Sequence, residues 1–261
     1  EAVALLGEFG GDANVLAGGM SLGAMLNMRL ARPAALVDIK RIAGLDAVSV
    51  NDEVRVGATL TQARALEHAA LLQAVPLLGL ALPWVGHFQT RNRGTLCGSV
   101  AHADPSAETP LVLATLGGAV ELRSGQGTRR MTADEFFVDV MTTSRAPDEL
   151  VTALILPAAP PGTRHAFEEL AQRHGDFAIV ACAAAAEVGS DGKLAALSLG
   201  LGGVESRPHV ADTAAFVGER ADATLAAAIA DAAATAVDPL HDHKASAAYR
   251  RALVRTLGAR A

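Results

Sequence analysis

Pro157-Ala158-Ala159-Pro160-Pro161-Gly162 constrains this chain more than any other stretch. Proline has no amide to give a ladder or a helix, and three of them in six residues stop both kinds of periodicity. The texture also changes across the break. The preceding part mixes short apolar runs with glycine turns, whereas the following part is rich in alanine. The chain is therefore expected to form two units, residues 1–157 and residues 163–261. Its 261 residues suffice for both.

Within the first unit, two glycine-bearing segments stand out: Val15-Leu16-Ala17-Gly18-Gly19-Met20-Ser21 and Thr95-Leu96-Cys97-Gly98-Ser99. Each leads from an apolar, strand-like run into a turn of small residues. Glycine admits positive φ and a close backbone approach, and unpaired amides at such turns attract anions such as a phosphate or pyrophosphate. Asn14–Leu16 reads as a strand, Ser21 as the cap of a helix over Leu22–Leu30, and Ala35–Ile39 as a second buried strand. The G-x-G-x-x-G spacing of a dinucleotide fold is absent.

Further along, Ala2–Phe9 has helical spacing, and Val48–Val50 with Val54–Val56 flank a polar turn as a hairpin. A helical region runs from Thr59 through Leu66 and Leu72, and Pro76 restarts it toward Trp84. Leu111–Leu116 is a helix closed by Gly117-Gly118, Val120–Arg123 a strand, Thr132–Phe137 a capped helical turn, and Leu150–Leu156 a strand. In the second unit, Ala166–Leu170 and Leu194–Leu199 read as strands, and Phe177–Val188 fits either helix or strand. Asp212–Val237 is an alanine-rich helix, and Ala245–Leu257 a basic helix with its arginines facing solvent or a partner.

Composition excludes several functions. Aromatic residues make up 3% of the chain and the net charge is −6, which opposes a nucleic-acid partner. The two cysteines, Cys97 and Cys182, are too few for an iron–sulfur cluster or a disulfide framework. Pro76, Gly79 and Pro83 interrupt the apolar stretch Leu71–Val85, so no segment reads as a membrane span, and with no signal peptide in view a soluble cytoplasmic protein is expected. A nucleophilic hydrolase lacks its G-x-S-x-G elbow. His102, Asp104 and Glu108 make a poor metal set and suit hydrogen bonding to a polyhydroxylated ligand better. His241 and His243 read as surface groups, and Cys97 as a small buried thiol.

Four motifs together carry a family resemblance. Ala17-Gly18-Gly19-Met20-Ser21-Leu22, followed by Arg29-Leu30, Pro33 and Leu36-Val37-Asp38-Ile39, resembles the first flavin motif of the medium subunit of molybdenum hydroxylases. That family includes xanthine dehydrogenase and aerobic carbon monoxide dehydrogenase. The run from Arg91 through Thr95-Leu96-Cys97-Gly98-Ser99 to Asp104-Pro105 and Glu108 resembles its second flavin motif. Arg173-His174-Gly175-Asp176-Phe177-Ala178 and Ser246-Ala247-Ala248-Tyr249-Arg250-Arg251 resemble its C-terminal domain. The likeness spans nearly the whole chain.

The resemblance implies an α+β fold: a two-lobed FAD-binding domain of the vanillyl-alcohol oxidase (PCMH) type, then a smaller sheet-plus-helix domain. It implies that Ala17, Gly18, Gly19, Met20, Ser21 and Leu22, with Thr95, Gly98 and Ser99, hold the FAD pyrophosphate. Ala101, His102, Asp104 and Glu108 are implied along the ribityl, ribose or adenine side, and Val151 against the adenine or flavin. Family members usually carry glycine where this chain has Cys97, and a side chain there limits how near the backbone comes to the ligand. No acid–base catalytic residue and no metal ligand are assigned. The molybdenum cofactor and the 2Fe–2S clusters are implied on partner subunits, one large and one small, in a heterotrimer or a dimer of heterotrimers. This chain then passes electrons from the clusters to an external acceptor. A stand-alone FAD oxidoreductase would need substrate groups that no motif marks, and a scaffold without flavin would not need the intact glycine segments.

Overall fold

The computed structural model describes residues 1–261. The chain opens with α1 (Ala2–Phe9), β1 (Ala13–Leu16), α2 (Met20–Asn27) and β2 (Ala35–Asp38). β1 and β2 pair in parallel, with Val15 opposite Val37, and form a small lobe. A hairpin follows, β3 (Val48–Val50) and β4 (Glu53–Gly57), and then a run of short helices: α3 (Gln62–Glu67), α4 (Ala69–Ala74), α5 (Pro76–Ala81), α6 (Phe88–Arg91), α7 (Leu96–His102) and α8 (Glu108–Thr115). The second lobe is completed by β5 (Ala119–Ser124), β6 (Gly127–Thr132), α9 (Ala133–Phe136), β7 (Phe137–Asp139), β8 (Thr142–Thr143) and β9 (Leu150–Pro157). Its five-stranded sheet has the order β3-β4-β9-β5-β6. β9 lies at the centre because its sequence, Leu-Val-Thr-Ala-Leu-Ile-Leu, is apolar on both faces, and every residue before Pro157 is buried.

The rest of the chain supplies β10 (Arg164–Leu170), β11 (Val180–Val188), β12 (Leu194–Gly202), β13 (His209–Val210), α10 (Ala223–Ala236) and α11 (Ala247–Arg260). The four strands form an antiparallel meander in chain order. Phe177–Val188, which suited helix or strand equally, is a strand from Val180 onward. Its alternation explains why. Ala181 and Ala183 join the core of the first unit, while Val180, Cys182 and Ala184 join the core beneath α10 and α11. A sheet of alanines and glycines lets helices approach both faces. A Cβ on Gly202 would stand 3.0 Å from the Leu111 side chain of α8.

Several sequence expectations change in the structure. Ser21 does not cap α2. Gly19, at φ 72°, occupies the cap position, so Ser21 lies inside the helix. The helix ends at Asn27, and Arg29 turns the chain at φ 59°, so Leu30 leaves the apolar face and is 70% exposed. The helical region after Thr59 breaks at His68, whose Nδ1 accepts the Leu71 amide at 3.2 Å and starts a new helix. The alanine-rich helix begins only at Ala223, where the Asp222 carboxylate accepts the amides of Thr224 and Leu225. In the basic tail, Arg250 faces neither solvent nor a partner, being only 2% exposed. Its guanidinium donates to the carbonyls of Ile179 and Gly203 and pairs with Asp242 at 2.8 Å.

Candidate cofactor site

β1 delivers the chain into Ala17-Gly18-Gly19, and α2 begins directly beyond. Every backbone amide from Ala17 through Leu22 lacks a hydrogen-bond acceptor within the chain, and the first to find one is Gly23, which donates to the Gly19 carbonyl at 2.8 Å. A helix necessarily leaves its first amides free, and here the preceding loop extends that free row. Such a run of N–H groups is a binding surface for an anion.

The second segment is not a turn, as its glycine suggested, but the opening of a helix. Thr95 is extended, and its Oγ1 accepts the Gly98 amide at 2.9 Å, which caps α7. Cys97, Gly98 and Ser99 thus form the first turns of α7. The two segments press together. A Cβ on Gly18 would overlap the Arg93 carbonyl oxygen and stand 2.9 Å from the Gly94 Cα. The absence of a side chain at Gly18 therefore lets the first loop seat on the backbone that leads into the second.

Between them lies a cavity of about 340 Å³. Ala17, Gly18, Gly19, Met20, Ser21 and Leu22 line it from one side, and Thr95, Gly98, Ser99, Ala101 and His102 from the other. Val151 of β9 and the neighbouring Leu150 add apolar surface. Asp104 and Glu108 are not among the lining residues. The Asp104 carboxylate accepts the Ser106 amide at 2.9 Å and builds the turn before α8. Glu108, the first residue of α8, is 5% exposed. Burial pushes its carboxyl up to about 7, and the Asp104 charge adds to the shift.

Cys97 also lines the cavity, with its Sγ 3.6 Å from the Val56 carbonyl. Burial pushes this thiol up to about 12, so it stays neutral and is no nucleophile. Sequence reasoning missed several wall residues, among them Val85, Thr90, Gly94, Gln62 and Arg145. Arg145 is the one lysine or arginine in the lining, and its Nη1 donates to the carbonyls of Ala146 and Glu149. Burial weakens its hold on its proton, against the pull of Glu149 and Asp148. No spacing rule marks Arg145, because it lies in a loop between β8 and β9.

A cleft with a row of free amides, a second helix start and apolar walls suits a phosphate-bearing ligand with a flat, apolar body. Residues 1–159 match the family described as the FAD binding domain in molybdopterin dehydrogenase. The chain belongs to the FAD-binding subunits of the molybdenum hydroxylases. Residues 165–261 match the CO dehydrogenase flavoprotein C-terminal domain. Among curated relatives, the 6-hydroxypseudooxynicotine dehydrogenase complex subunit alpha of Paenarthrobacter nicotinovorans is 37% identical over 98% of this chain and 88% of its own length. The carbon monoxide dehydrogenase medium chain of Afipia carboxidovorans is 35% identical over 96% and 88%. Among solved structures, carbon monoxide dehydrogenase from Hydrogenophaga pseudoflava superposes with a TM-score of 0.95 at 32% identity, covering 100% of this chain and 91% of that one. Quinoline 2-oxidoreductase from Pseudomonas putida 86 gives 0.94 at 34%, covering 99% and 90%. The chain is thus an oxidoreductase component with an FAD-binding domain in a mixed helix-and-sheet fold. Its relatives are subunits of larger complexes. No helix is long and apolar enough to cross a membrane.

Proposed function

We propose that this chain holds FAD in the cleft between its two glycine segments and serves as the electron-transfer subunit of a molybdenum-containing dehydrogenase. The observation that carries the reading is the free row of amides from Ala17 to Leu22. Those amides face a doubly charged diphosphate far better than they face water, because the α2 dipole adds to them. Thr95, Gly98 and Ser99 close over the same group from α7. Ala101, His102 and Val151 flank the sugar and ring portions, and Arg145 adds the one full positive charge in the wall. Bound there, FAD supplies the capacity to take electrons from a partner's 2Fe–2S clusters and release them to an external acceptor. The chain's own residues bind, orient and shield it, and none acts as acid, base or nucleophile.

In this reading residues 1–157 form the flavin domain and residues 163–261 pack behind it. The working complex adds a large subunit with the molybdenum cofactor and a small iron–sulfur subunit, as a heterotrimer or its dimer. Asp104 and Glu108, expected along the ribityl, ribose or adenine side, lie outside the cavity wall, so in this reading Asp104 serves by shaping the turn before α8 and Glu108 does not touch the cofactor. The test is direct. The purified chain should take up one FAD and show flavin absorption, and purification from the native source should bring a molybdenum-containing large chain and a cysteine-rich small one. A folded chain that stays colourless after incubation with FAD overturns the flavin assignment. Turnover of a small substrate by the flavin-loaded chain alone overturns the shared electron path.

A further inference from the structure

Where the linker joins the two units, the sheet of the second outruns the helices of the first. Ala181 and Ala183 of β11 pack into the first core, and Ala185 and Glu187 continue the same face of the strand. By then α4 has ended at Ala74 and α8 at Thr115. The gap left between them is a cavity of about 290 Å³, lined by both units and by Pro157–Pro160, and it shares no lining residue with the cofactor cavity. Its walls are tied in place. The Ala159 amide donates to the Ala74 carbonyl at 2.8 Å, and the Ser198 hydroxyl donates to the Thr115 carbonyl. Preformed, mostly apolar cavities at domain junctions are favoured places for small ligands.

The electrostatics of this cavity are one-sided. The half-buried Glu187 carboxylate is its one carboxylate, and no lysine or arginine lines the wall to neutralise it. That carboxylate accepts only the Thr163 hydroxyl, at a long 3.4 Å. The register of β11 against β12 slips between Glu187 and Val188, a bulge of the kind that re-aims a side chain. His165, opposite Ala185 on β10, adds no positive charge, because burial weakens its hold on a proton. The C-terminal end of α8, with its partial negative charge, meets the same wall at Thr115 and Leu116. We propose that this cavity is a second binding site, for a small organic ammonium ion whose charged head pairs with Glu187 and whose apolar body lies against Ala185, Leu116 and Pro157. An anion would meet both the carboxylate and the helix end, and a neutral guest would desolvate the carboxylate without supplying a counter-charge. A ligand held there touches both units and their linker, so it stabilises the junction.

The experiment titrates the full chain at neutral pH with ethyl-, cyclohexyl- and phenethylammonium chloride. 2-Phenylethanol and phenylacetate serve as the neutral and anionic counterparts of the last. Calorimetry reads binding and a melting curve reads the junction, with and without FAD, so the outcome does not depend on the flavin assignment. At least one ammonium ion should bind with a Kd of about 1 mM or tighter and raise the melting temperature. The alcohol should bind about tenfold more weakly than phenethylammonium, and phenylacetate not measurably. Glu187→Gln should weaken the ammonium about tenfold and leave the alcohol unchanged. Ala185→Leu should fill the chamber and abolish both, and Glu187→Gln carries the test if the leucine variant does not fold. Failure of all three ammonium ions to bind overturns the site. Ammonium binding that survives Glu187→Gln undiminished, or that the alcohol matches in the wild type, overturns the pairing with Glu187 and the proposal with it.

Discussion

Gly18 shows how one missing side chain can hold two distant segments together. Its Cα faces the Arg93 carbonyl and the Gly94 Cα so closely that a methyl group would overlap backbone on the other side. Backbone cannot rotate away as a side chain does, so Gly18→Ala must push the loop off its seat. The expected cost is about 1–3 kcal/mol, the range for overpacking. Its larger effect should be on the cofactor, with bound flavin per chain falling well below stoichiometric in absorption measurements. Gly98→Ala is the informative contrast. The new Cβ would meet the Thr95 Oγ1 at 2.7 Å, a side-chain atom that can turn aside at the expense of the α7 cap, so flavin retention should fall less. Both glycines were legible as special in the sequence. The reason for each was not, because Arg93 and Thr95 become neighbours only once the chain has folded. Gln62 and Arg145 lay beyond sequence reasoning for the same cause: a glutamine at a helix start and an arginine in a loop are unremarkable until a cavity forms beside them.

At the scale of elements, periodicity predicted most strands and helices, and the departures trace to side chains that intervene locally. His68 and Asp222 cap helices where the apolar pattern alone would continue or begin elsewhere. Thr95 turns a glycine-bearing stretch into a helix start. The tail helix α11 misled differently, since its arginines look alike in sequence. Arg255 does pair on the surface with Asp231. Arg250 instead threads beneath β11 and β12, satisfying carbonyls at the end of each that the sheet leaves unpaired. Burial opposes the Asp242 charge beside it, but the amides of Ala245 and Lys244 and the Arg250 guanidinium outweigh that and hold the carboxyl below its usual value. Arg250→Met should therefore cost roughly 3 kcal/mol, because it strands two buried carbonyls and a carboxylate at once. The urea midpoint of the second unit should fall accordingly. Asp242→Asn, which keeps a hydrogen-bonding partner at the more exposed end, should cost less.

For the whole molecule, the seam between the two units poses an electrostatic question that no local pattern announces. Its apolar part follows from the alternation in β11, whose small residues serve one core on each face. Its polar part includes two buried carboxyls, Glu108 at the start of α8 and Glu169 on β10, and neither has an ion-pair partner. Burial pushes Glu169 up to about 8, with the Glu108 charge adding to it, and Glu108 lies at about 7. Both values exceed the ordinary carboxylate range of an unfolded chain, so the folded state holds protons that the unfolded state releases. Stability is then greatest below about pH 4.5, as far as these two groups decide it, and falls as the pH rises through about 7 to 8. The flavin-free chain should accordingly melt at a higher temperature at pH 6 than at pH 8.5. Glu169→Gln should flatten that dependence by removing one proton-linked group and relieving the other of a like charge. A melting temperature equally pH-dependent in the variant would mean that the seam does not hold these protons. A wild-type melting temperature that does not fall between pH 6 and pH 8.5 would overturn this assignment, because the paired carboxylates Glu121 and Glu149, both held below their usual value beside arginines, are ionised throughout that range and add no slope to it.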